Sequence, residues 1–298
     1  MRPPAGRGRG CAAPRTPAMT PRLLPYALLA PSVGFLLVFF AWPLAQTAVL
    51  AFQVDGAWSA GNFVRMAGDL NFAAALRNTF ALVAVVVPLQ VAFALAMAVM
   101  LQKLQRGRDL VLWIWSIPLG ISDLAAGIVW LAIMSDRGYL NTVLQAVGLI
   151  DGPTGWLSYE TPLTLFAAVV CAEVWRATAI VFVILVAGLQ LIPKEYGEAA
   201  EVFGASPWRR FRAVTLPLLK PSLQTALILR TILAFEVFAV VWALGGRNLP
   251  VLVGEAYVWQ YDNRNYNVAA AFAVLLLVIS CAATLLYLRL LRVRGEVR

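Results

Sequence analysis

Residues 188–221, with the sequence GLQLIPKEYGEAAEVFGASPWRRFRAVTLPLLKP, form the longest stretch between apolar segments on the strongly basic side of the chain. Pro193 can begin a helix, because a proline in the first turn loses no backbone hydrogen bond. Gly204 can end that helix. Ser206 and Pro207 are typical of a second helix start, with serine as the cap and proline in the first position. The pattern therefore predicts a helix, a turn and a second helix between two apolar segments.

The composition indicates an integral membrane protein. The chain has 298 residues, of which 61% are hydrophobic and 13% are charged, and its mean hydropathy is +0.78. A soluble domain carries roughly a quarter charged residues. The chain contains no histidine, the residue most used for acid–base chemistry near neutral pH and a common metal ligand. We therefore predict no catalytic residue and no metal site.

Six apolar segments are each close to or above the ~20 residues that a helix needs to span a bilayer. They cover residues 25–52, 78–101, 110–134, 163–191, 222–244 and 268–291. The sequence thus predicts an all-α membrane domain over residues 25–291 with six transmembrane helices. Residues 1–24, rich in Pro, Gly, Ala and Arg, are predicted to form a disordered basic tail, and residues 292–298 a short second tail.

The distribution of positive charge predicts the orientation. Of the 24 Lys and Arg residues, 17 lie in the two tails and in the two loops that fall on the same side, around 103–108 and 194–220. Five lie on the opposite side, and Arg176 and Arg230 lie within apolar segments. Because positive residues are enriched in cytoplasmic loops, both termini and the 188–221 stretch are expected in the cytoplasm.

The 188–221 stretch also carries residues in a recognisable order and spacing: Glu198, Ala199, Ala200, Gly204, Ala205, Phe211, Leu216, Pro217 and Pro221. In this it resembles the EAA loop of binding-protein-dependent ABC importer permeases. The preceding residues, from Gly188 to Pro193, are similar to the carbohydrate-importer branch of that family. Phe203 departs from the pattern, since the family usually has Asp before the glycine. Gly245-Gly246 and the segment after them resemble the subunit type represented by the larger permease of maltose transporters.

This resemblance implies a type I ABC importer permease fold with a cytoplasmic EAA coupling loop over residues 192–215. It also implies a prokaryotic plasma (inner) membrane location and several partners: a second homologous permease, a dimer of cytoplasmic ABC ATPases and an extracytoplasmic solute-binding protein. The expected substrate is a sugar or polyol, with membrane lipid around the helices and no nucleic acid. The chain contains no phosphate-binding loop. We therefore expect no cofactor in this chain, with ATP and Mg bound by the partner ATPase, and no enzyme activity of its own.

Charged residues inside the apolar segments mark a second candidate site. A charge at the centre of a membrane helix costs about 2.5–3.5 kcal/mol on insertion scales, so each needs a partner or water. Glu173 and Arg176 share a helix face and can pair locally. The functional hypothesis is a polar substrate pathway, and the alternative is polar contacts that fix helix packing. The candidate pathway residues are Asp123, Glu173, Arg176, Arg230, Glu236 and Trp242.

Two other functions remain open from the residues. A secondary transporter driven by an ion gradient would explain the buried charges, but it would not explain the EAA-like loop, and inverted repeats are not evident. A membrane enzyme is disfavoured because the chain has no histidine for the usual acid–base or metal chemistry. The genes beside this one offer a simple discriminator, because an ABC importer requires an ATPase and a secreted binding protein.

Overall fold

The computed structural model describes residues 24–104 and 106–291, most of which are helical. A short antiparallel pair, β1 (Gln53–Val54) and β2 (Ala57–Trp58), follows the first helix. The helices are α1 (Leu24–Ala51), α2 (Gly61–Ala67), α3 (Phe72–Lys103), α4 (Arg108–Ser116), α5 (Asp123–Met134), α6 (Tyr139–Ala146), α7 (Pro162–Gln190), α8 (Lys194–Val202), α9 (Pro207–Phe235), α10 (Ala239–Gly245), α11 (Leu252–Tyr257) and α12 (Tyr266–Leu290).

Helices long and apolar enough to cross a membrane make up most of this fold. Five single helices of the described chain qualify, namely α1, α3, α7, α9 and α12. A sixth span is formed if the bent pair Arg108–Gly120 and Asp123–Ala146 is taken as one. The prediction of an all-α membrane protein is confirmed, with five to six spans among the described residues.

The third predicted span, 110–134, is not one straight helix. The chain bends by 98° between Arg108–Gly120 and Asp123–Ala146. Pro118 lies in a 3₁₀ turn that ends the first helix, and Ser122 caps the second by accepting a hydrogen bond from the amide of Ala125 at 3.2 Å. Proline has no amide hydrogen with which to continue the helical hydrogen bonds, and serine favours a new helix start, so these local signals favour the break.

The fifth predicted span, 222–244, differs from the observed helix at both ends. Helix α9 begins at Pro207, with Pro221 inside it, and ends at Phe235. Residues 239–245 then form the separate helix α10. This helix packs closely on α5, where a Cβ added at Gly127 would lie 2.7 Å from the Cβ of Ala243. Apart from Glu236, the apolar run continues through the break, so hydropathy alone does not mark the end of α9.

The chain divides into two units, Met1–Thr47 and Ala48–Arg298. In the described part of the first unit, residues 24–46 are all exposed although most of them are apolar. The predicted tail over 1–24 lies, apart from Leu24, outside the described residues, as does the tail over 292–298.

Within the second unit, two apolar clusters lie at different positions along α3 and α7. One contains Leu82 and Val86 of α3 together with residues from the first half of α7 and three residues of α10. The other contains Ala94 and Ala98 of α3 together with the second half of α7 and Leu219 of α9. Polar residues lie between the two clusters. They are more deeply buried than the residues of the 192–215 loop, the other candidate site.

Helices α7 and α9 come close together at a glycine. A Cβ added at Gly188, near the end of α7, would lie 2.2 Å from the Oγ and 2.5 Å from the Cβ of Ser222, in the middle of α9. Any larger residue at 188 would therefore force the two helices apart. The contact joins the two spanning helices that precede and follow the turn of the predicted loop.

Candidate functional site

The 192–215 loop folds as a helix, a turn and a second helix, as its sequence predicts. Helix α8 ends at Val202, and Gly204 follows with φ +72°, a conformation that costs L-residues with side chains more than glycine. The amide of Ala205 donates to the carbonyl of Ala200 at 2.9 Å and closes the turn. The Oγ of Ser206 accepts from the amide of Arg209 at 3.3 Å and caps α9. The turn is therefore fixed by its own backbone.

An ion pair and a ring stack stabilise the loop further. Arg210 of α9 pairs with Glu201 of α8 and so ties the two helices together. The rings of Trp208 and Phe211 stack with centroids 5.6 Å apart. The other predicted loop residues lie along the same surface, exposed or half-buried: Glu198, Ala199, Ala200, Leu216 and Pro217.

The end of α8 also presents an apolar surface. Val202 is 85% exposed and Phe203, at the position where the EAA pattern usually has Asp, is 89% exposed. Trp208 is exposed nearby in sequence. Contiguous exposed apolar residues mark interaction sites more often than isolated ones do. This end of the loop therefore has the character of a protein contact surface.

The second candidate site is a layer of polar side chains inside the helix bundle, which we call the polar layer: Gln90, Asp123, Glu173, Arg176 and Arg230. Arg230 and Glu173 are each 1% exposed, and the Nη2 of Arg230 lies 2.8 Å from the Oε2 of Glu173. The same oxygen lies 3.4 Å from the Nη2 of Arg176. The Nη1 of Arg176 in turn pairs with the Oδ1 of Asp123 at 2.8 Å. Four of the six predicted pathway residues thus form one chain of ion pairs.

This chain of ion pairs runs from the interior to the surface. The side chain of Asp123 is 51% exposed at the start of α5, directly after the bend in the third span. Arg230 lies at the buried end, enclosed by α3, α7 and α9 within this chain. The layer therefore links α9 and α7 to the broken helix, with charges balanced two against two.

Three buried polar atoms of the layer lack a hydrogen-bond partner. The Oε1 of Glu173, the Nη1 of Arg230 and the Nε of Arg176 have no partner among the described residues. Glu173 and Arg230 also line a small recess with Leu82, Val86, Ala234 and Val237. A buried polar atom without a partner is costly, and the recess has no room for a water molecule in this conformation, so these atoms stay unsatisfied within the described chain.

Two predicted pathway residues lie apart from the layer. Glu236 is exposed just beyond the end of α9. Trp242 of α10 packs instead among aromatic rings, with centroid distances of 5.4 Å to Phe238 and 5.2 Å to Tyr257. Its ring is therefore occupied by protein neighbours rather than open to the polar layer.

Sequence reasoning missed Gln90, which joins the layer from α3. Its Nε2 donates to the carbonyl of Glu173 at 2.8 Å, and its Oε1 accepts from the Nε of Arg230. The signal was present, since Gln90 is a single polar residue in the middle of the apolar run 78–101. An uncharged amide inside a membrane helix needs hydrogen-bond partners for the same reason that a charged side chain does, so Gln90 was a candidate on the same grounds.

A further buried carboxyl lies on the side of the molecule away from the loop. Glu255 of α11 is 5% exposed, and burial together with the charge of Asp69 raises its pKa. Arg247 and a hydrogen bond with Asn71 oppose that rise. Asp69 itself accepts from the indole of Trp259 at 3.0 Å. Together, these contacts hold the segment between α2 and α3 against α11 and the residues that follow it.

Comparison with known proteins places these features in a family. Residues 90–294 match the sequence profile described as the inner membrane component of binding-protein-dependent transport systems. The chain is 32% identical over 284 residues to the trehalose/maltose transport system permease protein MalF of Thermococcus litoralis, covering 92% of this chain and 95% of that one. It is 31% identical to the trehalose transport system permease protein SugA of Mycobacterium tuberculosis, covering 91% and 88%.

A third relative and a solved structure agree. The sn-glycerol-3-phosphate transport system permease protein UgpA of Agrobacterium fabrum is 29% identical, covering 92% of this chain and 96% of its own. The fold matches a chain of a bacterial ABC transporter involved in alginate import, with a TM-score of 0.78 at 22% identity over 90% of this chain and 95% of the other. The protein is therefore a multi-pass membrane protein that belongs to the family of inner membrane components of binding-protein-dependent transport systems.

Proposed function

We propose that this chain is the transmembrane permease subunit of an ATP-driven ABC importer that translocates a sugar or related polyol by alternating access. The observation that carries the proposal is the 192–215 loop. Its turn is fixed by Gly204, its helices are tied by Glu201 and Arg210, and Phe203 is exposed at its tip. A prefolded loop of this kind, whose turn and first helix lie outside the spanning helices, is suited to bind a separate ATPase.

The substrate class is supported by the relatives and by the chemistry of the polar layer. The two relatives of highest identity quoted above are named for trehalose or maltose transport. In the recess, the Nη1 of Arg230 is a free donor and the Oε1 of Glu173 a free acceptor. When the helices part during transport, a hydroxyl group of the solute can satisfy both, because it donates one hydrogen bond and accepts others. We therefore propose that Asp123, Glu173, Arg176 and Arg230 line the substrate pathway.

The proposed assembly contains two permeases, two ATPase subunits that bind ATP and Mg, and an external solute-binding protein. In the solved alginate transporter, a complex with a periplasmic protein that carries an alginate pentasaccharide is known. We place both termini and the loop in the cytoplasm because 17 of the 24 positive residues lie on that side. An energy source in another polypeptide also fits the lack of a phosphate-binding loop in this chain.

The proposal is tested by co-purification and uptake. The chain should co-elute with a P-loop ATPase encoded beside it, and vesicles containing the complex should take up sugar only with ATP and the loaded binding protein. Uptake by this chain alone, driven by an ion gradient, would instead identify a secondary transporter. For orientation, a thiol reagent added outside cells should label a cysteine introduced at Gly152 and should not label one at Ser206.

A further inference from the structure

Gln90 joins three helices with a single side chain. It lies in the middle of α3 and is fully buried. Its amide nitrogen donates to the backbone of α7 at Glu173, and its amide oxygen accepts from Arg230 of α9. The residues before and after it on the same face, Val86 and Ala94, are buried and apolar. No other polar residue of α3 reaches the ion pair among the contacts of the described chain.

The contacts of Gln90 determine how the guanidinium of Arg230 is oriented. Gln90 holds the Nε edge, and the Oε2 of Glu173 holds the Nη2 at 2.8 Å. Because the guanidinium is planar, two fixed edges leave it no freedom to rotate. The third nitrogen, Nη1, then remains without a protein partner, as does the Oε1 of Glu173.

We propose that Gln90 is a positioning residue for translocation: it fixes Arg230 against Glu173 so that one donor and one acceptor face the hydroxyl groups of a neutral solute when the helices part during transport. In the conformation described here, the recess between these side chains has no room for a water molecule. This inference rests on the proposed function. Gln90 itself does not line the recess formed by Glu173 and Arg230. Its effect is therefore indirect, through the orientation of the guanidinium.

The charge of the site indicates which solutes it suits. Arg230 and Glu173 form a neutral pair with both side chains 1% exposed. A charged solute group would be buried beside them without a compensating charge, which is unfavourable in a site of low dielectric constant. An uncharged polyol gains hydrogen bonds without that penalty. If the guanidinium were free to turn, its unpaired nitrogen would pair elsewhere and this selectivity would be lost.

The chain offers a matched control for Gln90. Gln102 lies on the same helix and also donates through its Nε2 to a carbonyl of α7, that of Leu189 at 3.5 Å. Gln90→Met and Gln102→Met each remove one amide bond between α3 and α7, but only Gln90→Met releases an arginine. Both variants would be placed in the complete transporter, with its partner permease, ATPases and binding protein, in lipid vesicles.

Wild-type vesicles must first import sugar with ATP and binding protein, since failure at that stage contradicts the proposed function and not the role of Gln90. Gln90→Met should then lower the kcat of uptake about tenfold or more, the scale expected when a binding group is misplaced. The KM for loaded binding protein should stay unchanged, because that protein binds elsewhere. Gln102→Met should leave both constants close to wild type.

A double-variant background distinguishes positioning from stability. In the background Arg230→Met/Glu173→Gln, adding Gln90→Met should reduce uptake no further. Equal losses in Gln90→Met and Gln102→Met, or an undiminished further loss in the double background, would each overturn the inference.

Discussion

In the 192–215 loop, most stabilising contacts join residues that are neighbours in sequence, whereas in the polar layer most of them join different helices. The cap of Ser206 acts on a residue three positions away, and Glu201 pairs with Arg210 nine positions away. In the layer, Arg230 meets Glu173 across 57 positions and Gln90 across 140. The loop is therefore encoded locally, and the layer exists only once the helices have packed. Substitutions in the two regions should fail in different ways.

The largest effect is expected from Arg230→Met, which removes one partner of the buried pair. Glu173 would keep only Arg176, whose Nη2 is 3.4 Å away. Breaking a buried ion pair by removing one partner destabilises proteins by about 3–5 kcal/mol, because the other charge stays buried. We expect a lower thermal unfolding temperature and a lower yield of monodisperse protein in detergent.

The double variant Arg230→Met/Glu173→Gln is the matched control for that change. It removes both charges, so much of the lost thermal stability should return while transport stays impaired. A single variant as stable as wild type would mean that packing alone holds α7 and α9 together, and the contrast between the two regions would disappear.

Gly204→Val should have an intermediate effect that is confined to the loop. Nothing lies within 4 Å of a Cβ at this position, so the penalty comes from φ +72° and not from a clash. Strain of this kind costs about 1–3 kcal/mol. The protein should insert normally, yet retain less of the ATPase in a pull-down and show weaker stimulation of ATP hydrolysis by the binding protein.

Gly204→Asn provides the comparison, since asparagine tolerates the left-handed region better than valine. Ala200→Trp, which adds bulk on the same surface without backbone strain, should also weaken recruitment. Normal recruitment and stimulation in both Gly204→Val and Ala200→Trp would show that this loop does not couple the permease to an ATPase.

Asp123→Asn should have a smaller effect than Arg230→Met, although both residues belong to one network. The side chain of Asp123 is 51% exposed, and Arg176 keeps Glu173 as a partner when the carboxylate is lost. Half-exposed ion pairs contribute at most about 1 kcal/mol. The unfolding temperature should therefore change little. If Asp123→Asn lowered the unfolding temperature as much as Arg230→Met does, the exposed and buried ends of the layer would contribute equally to stability.

The smallest effect concerns Glu255, a buried carboxyl outside both regions. Burial raises its pKa above the ordinary value of 4.5, so the folded protein binds the proton more tightly than the unfolded chain. Its contribution to stability is therefore fully present below that ordinary value and declines as pH rises through the raised pKa. Glu255→Gln should flatten this part of the profile, measured as unfolding temperature from mildly acidic to neutral pH. An unchanged slope would assign the pH dependence to other groups.

The fold of the loop could be predicted from the sequence, because proline, glycine and serine act on their immediate neighbours. Length and apolar composition predicted six spans, and the described chain has five, or six when the bent pair counts as one. The pairing of Glu173 with Arg176 followed from helix spacing alone. The end of α9 at Phe235 was not predicted, since the sequence beyond Glu236 is again apolar and forms α10. The link from Gln90 to Arg230 depends on the relative rotation and height of two helices, which helical periodicity does not specify.

The close contact between Gly188 and Ser222 gives the loop a mechanical property. Because only the small side chain of Ser222 lies between α7 and α9 at that point, we expect the two helices to share a pivot there. We expect a push on the loop to tilt both helices together about that point, instead of being absorbed by bending at their ends. The polar layer lies farther from that pivot along the same helices. A small displacement of the loop would therefore move the side chains of the polar layer by a larger distance.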